Sequence, residues 1–236
     1  EQKEVIRYIL WNMVYVEGGT ANLGDNNNYP VDVASFFINR YEVSQDEWYV
    51  IMGENPSNQH RLDRPVSGIM VYAKNPKAAA SLSTSLQQGK IEKWYQAVIC
   101  GKPVDNNGTY VDYLKQDKKN NCSRIVDKSD PESKRAELEY KVLDCIQTEE
   151  KGPQYLSLVE IKLLTGRHHQ IRVQFSGHGT PLYGDGKYGN NEKAVRKSLA
   201  LCACHLKFKH PATGKIMDFQ IKPDTGAFKL FSKSND

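Results

Sequence analysis

His60-Arg61-Leu62-Asp63-Arg64-Pro65-Val66-Ser67-Gly68-Ile69-Met70-Val71-Tyr72-Ala73-Lys74 places three kinds of signal side by side. Arg61, Leu62 and Asp63 form a charged opening. Pro65, Ser67 and Gly68 punctuate it as a turn. Ile69 to Ala73 then make an apolar run of strand length. A carboxylate on a tight turn ahead of a buried strand sits on a rigid support, where chemistry is well presented. Taken alone, Asp63 reads first as a turn residue bonded to nearby backbone amides.

Two later stretches change that weighting. One is Lys93-Trp94-Tyr95 with Ala97 and Gly101; the other is Leu164-Thr165-Gly166-Arg167-His168-His169-Gln170-Ile171-Arg172-Val173. A further loop reads Gly184-Asp185-Gly186-Lys187-Tyr188-Gly189. In order and spacing these four blocks resemble the RluA-type RNA pseudouridine synthases, over roughly residues 60 to 225. The resemblance implies an α+β fold: a mixed, mainly antiparallel sheet with flanking helices and a central cleft.

Composition agrees with a polyanionic partner. Of 32 Lys and Arg and 28 Asp and Glu, residues 1–59 hold three basic residues (Lys3, Arg7, Arg40) and nine acidic ones. The remainder therefore carries 29 basic and 19 acidic residues, a balance suited to RNA. A solvated surface rich in Lys gives the same count. Hydrophobic content of 39% and charged content of 25% describe a globular chain. No run of 18 apolar residues spans a membrane. Val5 to Val16 is broken by Arg7 and Asn12 and lacks the basic start and cleavage site of a signal peptide. The chain opens on Glu1, so a start further upstream is expected. The five cysteines include no C-x-x-C pair, and Cys202 and Cys204 read as small core residues of one strand. A reducing compartment, the cytoplasm, fits them.

The change of charge near residue 59 suggests a boundary, with a fragment at 1–59 and a catalytic domain at 60–236. Val16-Glu17-Gly18-Gly19-Thr20, Phe37-Ile38-Asn39-Arg40-Tyr41-Glu42-Val43 and Met52-Gly53-Glu54-Asn55-Pro56-Ser57 resemble the opening of the formylglycine-generating (sulfatase-modifying) enzymes. The metal-binding residues of that family have no counterpart here, so the resemblance implies a non-catalytic α+β fragment. The synthases usually begin with a strand ahead of the HRLD block, and none is recognisable. Residues 1–59 are therefore expected to cover that sheet edge, burying Phe37, Tyr41 and Trp48.

Along the chain, Val14–Val16 and Val33–Val43 read as strands, with a loop from Gly19 to Pro30 between them. Ser44 and Glu47 form a capping box for a short helix ending at Gly53. Asn75-Pro76 opens a helix to about Gly89, with Ala79, Leu82 and Leu86 inward. Ile91–Cys100 is a strand, and residues 104–134 are an exposed hairpin or loop. Arg135–Thr148 and Tyr155–Leu164 are paired strands, His169–Ser176 is a helix, and Leu199–Phe208 with Ile216–Ile221 is a final strand pair.

The resemblance assigns the chemistry. Asp63 is the carboxylate acting at ribose or base, Tyr95 lies against the flipped uracil, and Arg167 pairs with Asp63 and keeps it ionised. Alternatives are a core aromatic for Tyr95 and a phosphate contact for Arg167. Arg61 fills the gap left by the extracted base, and His60, Arg172 and Lys187 contact RNA. The partner is ribosomal or transfer RNA, and no cofactor is required. His168 stands where the family has Thr, and Gln174 where it has His. The adjacent His168 and His169 have poor ligand spacing, so no metal is expected. The competing reading is an inactive RNA-binding or protein-interaction module on the same fold.

Overall fold

Helix α1, Pro76–Gln87, shows how local chemistry sets an element's end. Gly89 takes a left-handed φ of 67°. The Gly89 amide donates to the Leu86 carbonyl and the Lys90 amide to the Ser85 carbonyl, closing the last turn. The computed structural model describes residues 66–71, 73, 76–148, 154–189 and 198–231, together with the strands within 13–41 named below. The expected helix at 44–53 lies outside the described residues.

The chain forms two compact units. In the first, residues 1–91 and 205–221, strand β1 (Met13–Val16) pairs with β4 (Phe36–Tyr41), and β4 pairs with β5 (Ser67–Met70), both antiparallel. A strand from the acidic N-terminal stretch thus lies along the strand that follows the HRLD block. The side-chain contacts expected of Phe37, Tyr41 and Trp48 fall outside the described residues. β2 (Thr20–Leu23) and β3 (Tyr29–Asp32) form a separate ribbon where a loop was expected. Each strand is only four residues long and flanks the polar run 24–28, too short a pattern for periodicity to reveal it.

Ile69, Ile91, Leu206 and Phe208 form the core of this unit, with Leu82 and Leu86 of α1 packed on it. Ala79 is exposed, whereas Ala78 is half-buried, so the inward stripe of α1 passes one residue earlier than expected. The second half of β11 (Leu201–Lys209) pairs with β12 (Ile216–Gln220), the final strand pair expected.

The second unit, residues 92–204 and 222–236, is the sheet that carries the candidate site. Its antiparallel order is β6 (Glu92–Cys100), β10 (Tyr155–Leu163), β9 (Lys134–Gln147), β7 (Asn107–Asp117), β8 (Cys122–Val126). Together with the first unit's pairings this is the α+β, mainly antiparallel class expected. Residues 107–126 form the hairpin expected within 104–134, β7 paired with β8, although it is not exposed throughout. Leu114 and Ser123 are buried, and Leu114 joins Ala136 and Val173 in a core cluster. The hairpin turn follows from Asp117, whose carboxylate accepts the Lys119 and Asn120 amides. Inward-pointing Ala136, Leu138 and Tyr140 of β9 are all buried. A register shift at Leu158/Val159 explains why β10 alternates loosely.

Helix α2 (Gln170–Gly177) covers this inner face, and the rings of Tyr110 and Tyr140 meet Phe175 edge-on. Gly184 permits the tight loop after it. Its φ is 78°, and a side chain there would collide with the Ser198 carbonyl at 2.2 Å. Phe228 and Phe231 of a terminal 3-10 helix, Gly226–Phe231, are also buried.

Candidate functional site

Strand β6 presents Lys93 and Tyr95 on one face because side chains two apart point the same way. The register sets Tyr95 opposite Ile161, and Ile161 opposite Tyr140. Tyr95 thus extends the inner, helix-covered face while itself remaining half-buried. The other face carries Trp94, Glu139, Glu160 and Lys162, with the Lys162 ammonium 5.4 Å from the Trp94 ring centroid. Sequence reading left Tyr95 open between core and site. The fold places it half-buried on this inner face.

The segment after β10 is held by an internal network. Both the Leu164 and Thr165 amides donate to the Glu137 carbonyl at 3.1 Å. The Thr165 hydroxyl accepts from the Glu137 amide at 2.8 Å and donates to Gln170 Oε1 at 2.8 Å. Gln170, 3% exposed, also takes the Arg167 amide at 2.9 Å and donates to the Glu137 carbonyl at 3.0 Å. These bonds fix the backbone of Arg167, and its Nε donates to the Arg135 carbonyl at 2.8 Å. Arg167 itself is exposed. Thr165 and Gln170 therefore act as positioning residues, a role the sequence reading missed. A Gln among the apolar residues of a helix start was the available signal, because a buried amide needs several partners.

Asp63, Arg61 and His60 lie outside the described residues. Lys187 is on the surface, and its ammonium donates to the Asn121 carbonyl at 2.6 Å. Arg172 was expected at an RNA contact. It is 6% exposed and forms a two-pronged pair with Asp185, Nε to Oδ2 at 2.8 Å and Nη2 to Oδ1 at 2.6 Å. Asp185, 1% exposed, also accepts the Lys187 and Tyr188 amides at 2.9 and 3.0 Å. The pair ties α2 to the Gly184–Gly189 loop.

The two departures from the synthase pattern both serve this scaffold. His168 meets the Ser123 hydroxyl at 2.8 Å and Asn121 Oδ1 at 3.2 Å, and stacks on His169 at 3.7 Å. His169, the left-handed N-cap of α2, meets the Tyr188 hydroxyl at 2.6 Å. Gln174, fully buried, donates to Asp112 at 2.8 Å, and His178 reaches the same carboxylate at 3.1 Å. Cys202 and Cys204 are buried as expected, and burial pushes the Cys204 thiol up to about 12, which leaves it unreactive.

The Tyr188 hydroxyl also accepts the Ser123 amide at 2.8 Å, joining the β7–β8 hairpin to the loop. Tyr188→Phe strands that amide and is expected to cost about 1–3 kcal/mol. Burial first of all raises the Tyr188 phenol from 10.0 to about 12. The unfolded phenol ionises first as pH rises, so its contribution is complete below pH 10 and lost by about pH 12. Urea midpoints between pH 9 and pH 12 should fall less steeply in the Phe variant; parallel curves would remove Tyr188 from the alkaline transition.

Residues 49–177 match the family described as RNA pseudouridylate synthase. The chain is 35% identical over 181 residues to an uncharacterized RNA pseudouridine synthase of Aquifex aeolicus, covering 73% of this chain and 55% of that protein. It is 34% identical over 175 residues to ribosomal large subunit pseudouridine synthase D of Zymomonas mobilis, covering 71% and 52%. The chain thus spans about half the length of the curated relatives it matches. The solved structure of human RNA pseudouridylate synthase domain containing 1 superposes with a TM-score of 0.64 at 20% identity, covering 88% of this chain and 84% of that one. Human RNA pseudouridylate synthase domain containing 4 gives 0.62 at 20% identity, covering 98% and 94%. None of these findings supports the formylglycine-generating resemblance of residues 14–57.

Proposed function

Because the chain belongs to the RNA pseudouridylate synthase family, we propose that it converts specific uridines of ribosomal or transfer RNA to pseudouridine. The observation that carries this reading is that the family match, residues 49–177, includes Asp63, Tyr95 and Arg167 together. In this reading Asp63 acts on the uridine while the N1–C1′ bond breaks, the base turns, and the C5–C1′ bond forms. The substrate supplies every atom of the product, so the step needs no cofactor or net redox change.

Tyr95 lies along the displaced base and relays the C5 proton. Arg167, its backbone locked by Thr165 and Gln170, keeps Asp63 ionised and aimed. Arg61 fills the vacated stack, and His60 and Lys187 contact the RNA. Residues 60–236 form the catalytic part, and residues 1–59 serve as a non-catalytic fragment. Among the described residues no helix is long and apolar enough to cross a membrane. We place the activity in the cytoplasm, with the RNA.

The test is incubation of the full chain with bulk ribosomal and transfer RNA, followed by carbodiimide-dependent primer-extension stops. New stops at defined uridines are expected. RNA binding without any stop would leave the chain as a binding module.

A further inference from the structure

The Lys93 ammonium is out of keeping with its neighbours. Lys162, on the opposite face, lies 3.9 Å from Glu92 and over Trp94. Lys93 is half-buried, and burial lowers its affinity for the proton. Among the described residues it meets no carboxylate or hydrogen-bond acceptor. Its Nζ rests against Gly166, where an added methyl group would stand 3.4 Å away. A cation taken from water without a partner costs stability. It lies under the Arg167 segment and on the same face as Tyr95, about 6.6 Å along the strand. That separation is of the order of one nucleotide, measured from base to phosphate.

We propose that Lys93 receives a backbone phosphate of the RNA, the one attached to the nucleotide whose base lies against Tyr95, with Arg167 flanking the same strand. This rests on the function proposed above for the placement of the base. The absence of a side chain at Gly166 lets the phosphate approach the ammonium.

The probe is poly(U), bound by the full chain across a salt series, with Lys93→Met and Lys93→Arg as variants. For single strands each neutralised phosphate contributes about 0.7 to the slope of log affinity against log salt. The Met variant should show a slope shallower by about that amount and affinity lower by roughly tenfold at low salt. The Arg variant should restore the slope. Uridine 5′-monophosphate should compete better than uridine against the wild type, and no better against the Met variant.

A wild-type slope in a folded Met variant overturns the proposal, since the charge would then be neutralised within the chain. So does a fall in isomerisation rate with binding and slope unchanged, which would assign the charge to the departing uracil. If the Met variant does not fold, the wild type still decides: equal competition by uridine and its monophosphate overturns the proposal. A Lys93-dependent slope in a chain that forms no pseudouridine would overturn only the activity, and the phosphate site would stand.

Discussion

Asp63→Asn is expected to lower isomerisation by at least about 10³-fold while RNA affinity stays within a few fold. Asparagine keeps the size and much of the hydrogen bonding of aspartate, so packing and RNA docking survive. It cannot act as a nucleophile or base, so the step that breaks N1–C1′ loses its driver. The measurement is single-turnover conversion on an RNA the wild type modifies, with filter binding alongside. Turnover near wild type removes Asp63 from the mechanism. A large loss of affinity instead would make it an RNA-docking residue.

Arg172→Met is expected to destabilise the fold by about 3–5 kcal/mol, because it leaves the buried Asp185 carboxylate without its partner. Asp185 would keep the Lys187 and Tyr188 amides, which hold the loop but do not cancel a full charge. The double variant Arg172→Met, Asp185→Asn removes both charges and should recover much of the loss, because the pair interacts as a unit. Urea denaturation of the four species gives the coupling. A loss under about 1 kcal/mol, the range of exposed pairs, would mean that solvent screens this guanidinium and would return it to the RNA-facing role the family resemblance implies.

Much of the second unit was legible as pattern. Alternation at Leu138, Tyr140 and Val142 marked β9, and the helix over Gln170–Gly177 was expected within a residue of its bounds. Cys202 and Cys204 were expected in the core and are buried. These readings depend on backbone geometry, which fixes a period of two in strands and 3.6 in helices whatever lies around them. The ribbon of β2 and β3 escaped because each strand is only four residues long beside a polar run. The three chemical residues were legible only through the resemblance, since a lone Asp on a turn or Tyr in a strand has an ordinary structural use.

What the sequence determined by itself is the order and type of the longer elements and the family they belong to, because both lie in spacing along the chain. Only the tertiary structure decided what each polar side chain is for. Arg172 read as a contact for RNA, and the fold pairs it with Asp185, 13 residues on. Tyr188 gained its place from Ser123, 65 residues away. Lys93 and Lys162 belong to paired strands and have the same chemistry, yet one is paired and the other desolvated against Gly166. The reason is that burial and pairing are set by whatever the fold brings alongside, and the energy of a polar group depends on those neighbours far more than on its own identity.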